Sequence, residues 1–309
     1  MPTAEQARFA AQLNKISARY GRLEDTTAAE IQRAVRDFQQ QITANIGTAG
    51  SGEAMRLREL DQNLQRYVDD FQRRAMIAIR NSKTGALDFG AASVTAPLRA
   101  AGIEGVFNAP SLSQLNTAVD YTADLIRQIG DSMRDQISAQ LRAAIVGVKS
   151  PVEVMQRITY ILGTENQAGR YVTRPDVARG ISARAEAVAR TELQRAFNLS
   201  SYAQQQRVAE TVPGLMKSWM ATADRRTRES HIRAHLEYHA HPIPVNQPFV
   251  LKDTRGTDEL MYPGDPTADP RFTINCRCRP ITVHPAIGVT KSSLDGRIAA
   301  EVKRREDMA

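Results

Sequence analysis

From Glu53 to about Ser82 the apolar residues Leu57, Leu60, Leu64, Tyr67, Val68, Phe71, Ala75 and Ala78 recur at nearly heptad spacing, with no glycine or proline among them. A set spaced in this way falls on one side of the chain only if the chain is a long helix. The stretch 26–48 places Ile31, Val35, Phe38, Ile42 and Ile46 on the same period, and Gly47, Gly50 and Gly52 separate the two. An antiparallel helical hairpin is therefore expected. A self-associating coiled coil over 52–82 would use the same stripe, but a globular bundle needs fewer assumptions. An aromatic content of 6% also suits helices better than a sandwich or barrel, and 309 residues is enough for about two domains.

Beyond Ser82 the pattern changes. Gly85, Gly90, Pro97, Gly102, Gly105 and Pro110 interrupt any period, which predicts loops with at most a short helix over 83–110. Ser111 then reads as a helix cap, and Leu115, Val119, Ile126, Ile129, Met133, Ile137 and Leu141 carry a further apolar stripe to about Val148. Ser150-Pro151 restarts a helix with proline at its first position, and Gly163 ends it. A polar connection over 164–179 leads to a helix over 181–209, with Ala185, Val188, Ala189, Leu193, Ala196 and Phe197 on its buried side.

After Pro213-Gly214 the composition shifts abruptly: the only tryptophan, all five histidines, both cysteines and most of the prolines lie between Pro213 and Pro285. The expected fold is a mainly α N-terminal domain followed by a small α+β C-terminal module, with zinc as a candidate stabiliser. Strands are predicted at Met216–Thr222, Glu259–Tyr262 and Arg279–Val283, a short helix at 228–238, and an amphipathic segment at about 291–306 before a charged tail. The expected organisation is a docking and assembly region over 1–150, a helical connector over 151–212, a Cys/His module over 213–290, and a C-terminal helix and tail over 291–309.

Cys276 and Cys278 are one residue apart, too close in sequence for good disulfide geometry with each other. With His231 they offer soft thiolates and imidazole, the ligand types of tetrahedral zinc. His235, one helical turn on, and Asp224 are candidates for a fourth ligand, as are His239, His241 or a water. The competing reading packs both cysteines as small apolar residues and makes His231 a hydrogen-bonded structural residue. His231, His235 and His239 share a helix face, but the sequence HIRAH lacks the glutamate that H-E-x-x-H needs as general base, which excludes a zinc-protease motif.

Within 219–285, Trp219, Asp224, Thr227, Arg228, His231, Pro248, Phe249, then Met261, Tyr262, Pro263, Gly264, Asp265, Pro266, and finally Asn275, Cys276, Arg277, Cys278 follow one another in a recognisable order. Upstream stand Ala189, Arg190, Thr191, Glu192 and Asn198. Over about 180–285 this set resembles the C-terminal domain of the phage Mu F-like head morphogenesis family. Some relatives in that family resemble a C-x-x-C pair where this chain has Arg228 and His231, and Arg228 cannot ligate a metal. The resemblance implies a minor head component, non-enzymatic, associated with the portal and other head proteins inside the virion and made in the host cytoplasm. It would assist assembly, genome packaging or ejection. Similar modules precede toxin effectors, but only about 24 residues follow Pro285 here, and no nucleophile, base and orienter set is apparent.

Several local roles follow from chemistry. Thr227 is a candidate cap for the helix after it, with Asp224, Arg225, Arg226 and Arg228 forming a polar cluster. The Met261–Pro266 segment reads as a turn whose role is shape. Glu186 and Arg190 are spaced to pair, and Glu192 and Asn198 are candidates to face the C-terminal module. The formal charge of +7, with basic runs at Arg225, Arg226, Arg228 and at Lys303, Arg304, Arg305, leaves phage DNA as a further partner. A DNA-binding zinc module is the alternative reading of function. No stretch has the roughly 18 apolar residues of a membrane span, the N-terminus lacks a signal-peptide pattern, and neither a membrane nor a small-molecule substrate is expected as a partner.

Overall fold

The computed structural model describes residues 2–46, 53–105, 107, 120–163, 180–222, 224–288 and 293–307. The glycine break at 47–52, the Ser111 cap with Leu115 and Val119, and the polar connection 164–179 lie outside the described residues. The helices are α1 (Ala4–Ile46), α2 (Glu53–Ala100), α3 (Asp120–Ile145), α4 (Pro151–Leu162), α5 (Gly180–Ala209), α6 (Glu229–Ala240), α7 (Pro270–Thr273) and α8 (Ser293–Glu306). The strands are β1 (Met216–Met220), β2 (Ile243–Pro244), β3 (Phe249–Asp253), β4 (Gly256–Leu260) and β5 (Arg279–Val283). Helices thus precede a small mixed region, as the apolar periods and the composition shift predict. Among the described residues, no helix is long and apolar enough to cross a membrane.

The chain forms two compact units that are not consecutive in sequence. One comprises Asp25–Asn81 and Ala118–Arg190; the other comprises Met1–Glu24, Ser82–Thr117 and Thr191–Ala309. Helices α1, α2 and α5 each contribute residues to both.

The first unit is helical. Its core contains every member of the predicted α1 stripe, Ile31, Val35, Phe38, Ile42 and Ile46, together with Leu57, Leu60, Leu64, Val68 and Phe71 of α2. Asp37 pairs with Arg74 and Phe38 meets Phe71, so the two helices run antiparallel here. Ile126, Ile129, Met133, Ile137 and Leu141 bring α3 into the same core. Gln72 donates to the Arg127 carbonyl and Ser138 to Asp61, which makes α3 antiparallel to α2. Helix α4 starts on a capping box between Ser150 and Glu153, with Pro151 in its first turn, and stops at Gly163 in the left-handed conformation (φ 68°). Glu186 accepts from Arg190 at 2.9 Å, the pairing expected from their spacing.

In the second unit the structure corrects one expectation. Residues 83–100 are not loops but the continuation of α2. Ala86, Leu87, Val94 and Leu98 are buried along this stretch, and Gly90, which reads as a breaker in the sequence, packs within it. A Cβ on Gly90 would lie 2.2 Å from the Phe197 carbonyl oxygen. Glycine is therefore present because α2 and α5 approach too closely for any side chain. Pro97 lacks one N–H near the C-terminal end, where its loss costs little of the helix. Residues 4–24 lie in the region expected to be helical and are helical. Thr3 and Gln6 cap α1 reciprocally, and Phe9, Ile16 and Tyr20 are buried.

Strand β1 is central in an antiparallel sheet of order β2-β1-β5, with Trp219 opposite Pro280. Its residues Lys217, Ser218 and Trp219 are all buried, so both faces of the strand are covered. Strands β3 and β4 form a separate antiparallel hairpin with Asp253 opposite Gly256. Neither β2 nor β3 was expected, and β4 begins earlier than the predicted strand. Phe249 and Leu251 do alternate inward along β3, but the run is too short and too mixed to stand out.

Candidate metal centre

Helix α6 starts immediately after Arg228, and His231 lies in its first turn, 1% exposed. Cys276 and Cys278 flank Arg277 just before β5 and are equally buried. Asn275 holds a left-handed backbone (φ 55°), a conformation that asparagine tolerates better than most residues. It turns the chain into the C-x-C segment, so that both sulfurs point to one place.

That segment is held from several sides. Thr191 accepts from the Asn275 amide, Thr222 donates to the Arg277 carbonyl, and Gln194 and Asn198 both donate to the Cys278 carbonyl. Thr191, Gln194 and Asn198 are successive contacts from one side of α5. Asn198 also donates to the Pro263 carbonyl at 2.6 Å, which ties the Met261–Pro266 turn to the same helix. Asn198 thus faces the module as expected. Glu192 pairs with Lys83 of α2 and with Arg195.

Nδ1 of His231 is 3.2 Å from Sγ of Cys278 and 3.6 Å from Sγ of Cys276. The donor atoms of the three residues all lie within 4.8 Å of one another. Ligands around a tetrahedral zinc, at the usual metal–ligand lengths, are separated by roughly 3.5–3.8 Å. The cluster therefore has both the chemistry and the spacing for a soft divalent ion. Nε2 of His231 has no hydrogen-bond partner among the described residues, and the indole of Trp219 meets the ring edge-on with centroids 5.4 Å apart. Nδ1 is accordingly the nitrogen turned to the thiols.

The two thiols are electrostatically unequal. A hydrogen bond from Cys278, with His231 nearby, holds the Cys276 thiol well below its ordinary pKa despite burial. Burial pushes Cys278 well above, and the neighbouring Cys276 adds to the rise. A soft ion bound there would take thiolate ligands, so its binding would release protons from the pair.

Of the residues considered for a fourth ligand, neither Asp224 nor His235 joins the cluster. Both carboxylate oxygens of Asp224 accept from Arg277, at 2.6 and 2.8 Å. Burial opposes ionisation of Asp224, but the guanidinium outweighs it and the carboxyl lies below its usual pKa. Nδ1 of His235 accepts from the Ala221 amide at 3.4 Å, and its ring stacks on His239, whose Nδ1 meets the Ser218 hydroxyl. These histidines face β1 rather than the cysteines. Thr227 is not the cap of α6 either. The N-cap position is Arg228, while the Thr227 hydroxyl bonds Thr222 and Asp224. Arg228 itself donates to the Ile274 carbonyl at 2.6 Å, and Arg226 lies 3.8 Å from Asp224.

The Met261–Pro266 segment is a turn held by its own side chains. Gly264 is left-handed (φ 82°), Asp265 is buried and accepts from the Met261 and Thr267 amides, and Tyr262 stacks on Tyr202. In the C-terminal basic run, Arg304 and Arg305 both bond Glu301, and Arg305 reaches Glu229 and the Thr227 carbonyl. The run thus buttresses the start of α6.

One buried ionisable residue does not stand out in the sequence. Lys217 is fully buried on β1, donates to the Met261 carbonyl at 2.6 Å, and packs its ammonium over the rings of Tyr202 and Phe249. Burial pulls its pKa down to about 7, against the attraction of Asp265. A lysine amid apolar neighbours in the MKSWM segment is the signal that marks it.

No curated protein and no solved structure matches the chain. A family model does, and it extends further upstream than the motifs suggested, from Arg134 in α3 through α4, α5 and the cluster to Ile281 in β5. Residues 134–281 match the model of the family described as Phage Mu protein F like protein, which is consistent with a phage Mu F-like head morphogenesis protein.

Proposed function

We propose that the chain is a non-enzymatic minor head protein that associates with the portal inside the phage head and assists assembly, genome packaging or ejection. The observation that carries this reading is the family match over 134–281, which takes in the buried His/Cys cluster. The cluster, closed by α5 and the Trp219 strand, is a structural staple for the C-terminal unit, with zinc as the ion whose chemistry its donors suit. Among the described residues that line it there is no carboxylate, and the nearby Asp224 is engaged by Arg277, which favours a structural centre over a hydrolytic one. Docking falls to the helical unit, where Val146, Val148, Val152 and Tyr160 are exposed around the α3–α4 turn. Such side chains are what a protein partner covers.

The test is co-expression of the full chain with a phage portal protein. Co-elution as a complex, and recovery of the chain in purified heads, are expected. A chain that is absent from heads and never co-elutes would overturn the proposal. DNA binding is the second reading, favoured by the +7 charge. Tight, salt-sensitive retention of the full chain on phage DNA, without portal binding, would put it first.

A further inference from the structure

His231, Cys276 and Cys278 supply three donor atoms, whereas a tetrahedral site takes four. Among the described residues no other histidine, cysteine or carboxylate completes the group. The three donors instead line a small recess together with Thr222, Thr227, Asn275, Arg226, Arg228 and Arg277. A fourth ligand would therefore come from this recess, whose lining includes three guanidinium-bearing residues.

Charge determines what that recess can accept. A divalent ion with two thiolates and a neutral imidazole carries no net charge. The lining holds three arginines, and even with Asp224, the partner of Arg277, it remains net positive. A second cation is repelled and an anion is drawn in. Arg228 uses one N–H on the Ile274 carbonyl, and a guanidinium has five donors in a fixed fork, so it can hold both the loop and an incoming anion.

We infer that the centre is an open one: the metal ion takes its fourth ligand from solution, a water exchangeable for a small anion, and Arg228 steadies that ligand. The inference rests on the metal reading of the cluster. It separates this site from a closed structural site, in which all four ligands come from the chain and the ion is insulated from solvent. It also gives Arg228 a role that its place as a helix N-cap without a side-chain cap bond does not explain.

The test uses full-length protein, reduced, stripped by chelation and loaded with Co²⁺, whose visible bands report coordination geometry and whose near-ultraviolet band reports thiolate ligation. The loaded protein is titrated with sodium azide and, separately, with inorganic phosphate. The expected result is a tetrahedral thiolate spectrum that shifts saturably with azide, and an Arg228→Gln variant that binds cobalt equally well but azide several-fold more weakly. A thiolate spectrum that neither anion moves would overturn the open centre and leave the metal reading standing. Failure to take up cobalt, or uptake without a thiolate band, would overturn both.

Discussion

Nδ1 of His231 stands 3.2 Å from Sγ of Cys278 across a sequence separation of 47 positions. An ion at that point would close the loop containing β2, β3, β4 and α7, and its binding energy would add to folding by on the order of several kcal/mol. Stoichiometric zinc is expected in freshly reduced protein, with a lower melting temperature after chelation and in Cys276→Ser. Metal analysis alongside thermal melts provides the check. Folded protein free of zinc, melting unchanged with chelator, would leave these residues as packed core.

Lys217 should make stability depend on pH. Its pKa falls from the ordinary lysine value of 10.5 to about 7 in the fold. Between these values the unfolded chain binds the proton more tightly, so stability rises with pH, by at most about 1.4 kcal/mol per unit. The cost of burying the charged form is complete below about pH 7 and is relieved as pH climbs toward the unfolded value. Lys217→Met should therefore melt higher than the parent at pH 6, with the gap narrowing steadily as pH rises to 9. Parallel melting curves across that range would show that the lysine does not titrate in the window.

Two helical glycines should respond oppositely to alanine. At Gly90 a Cβ would meet the Phe197 carbonyl at 2.2 Å, so Gly90→Ala should destabilise by about 1–3 kcal/mol through overpacking of α2 on α5. At Gly21 nothing lies within 4 Å, and Gly21→Ala should stabilise by up to about 1 kcal/mol through helix propensity alone. Urea titrations of the two variants decide the matter, and the same sign at both sites would refute the close approach.

A fragment that begins at Pro151 should be less stable than the full chain, because it lacks residues from two cores of the second unit. Phe9, Val94 and Leu98 pack with Tyr202, Val208 and Tyr262, while Tyr20, Ala86 and Leu87 pack with Leu193 and Phe197. The fragment should expose this face of α5 and bind a hydrophobic dye. Hydrogen-exchange protection over 191–209 in the isolated fragment equal to that of the full chain would contradict it.

The helical stripes at 31–46, 57–78 and 126–141 were legible in the sequence because a buried helix face repeats every few residues, and repetition within one segment needs no partner to be seen. The same holds for α4, whose start and stop are written in Ser150, Pro151, Glu153 and Gly163. The cysteines and histidines could be grouped as one candidate site because they are rare residues confined to one stretch. Contact between distant segments left no such mark. Gly90 reads as a helix breaker until Phe197 is placed against it, and Asp224 as a candidate metal ligand until Arg277 takes both its oxygens; the rings that enclose Lys217, those of Tyr202 and Phe249, left no sign in the sequence alone. Local period and rare chemistry are properties of the chain itself, whereas the role of a glycine, a buried charge or a carboxylate depends on what long-range packing brings within a few ångströms.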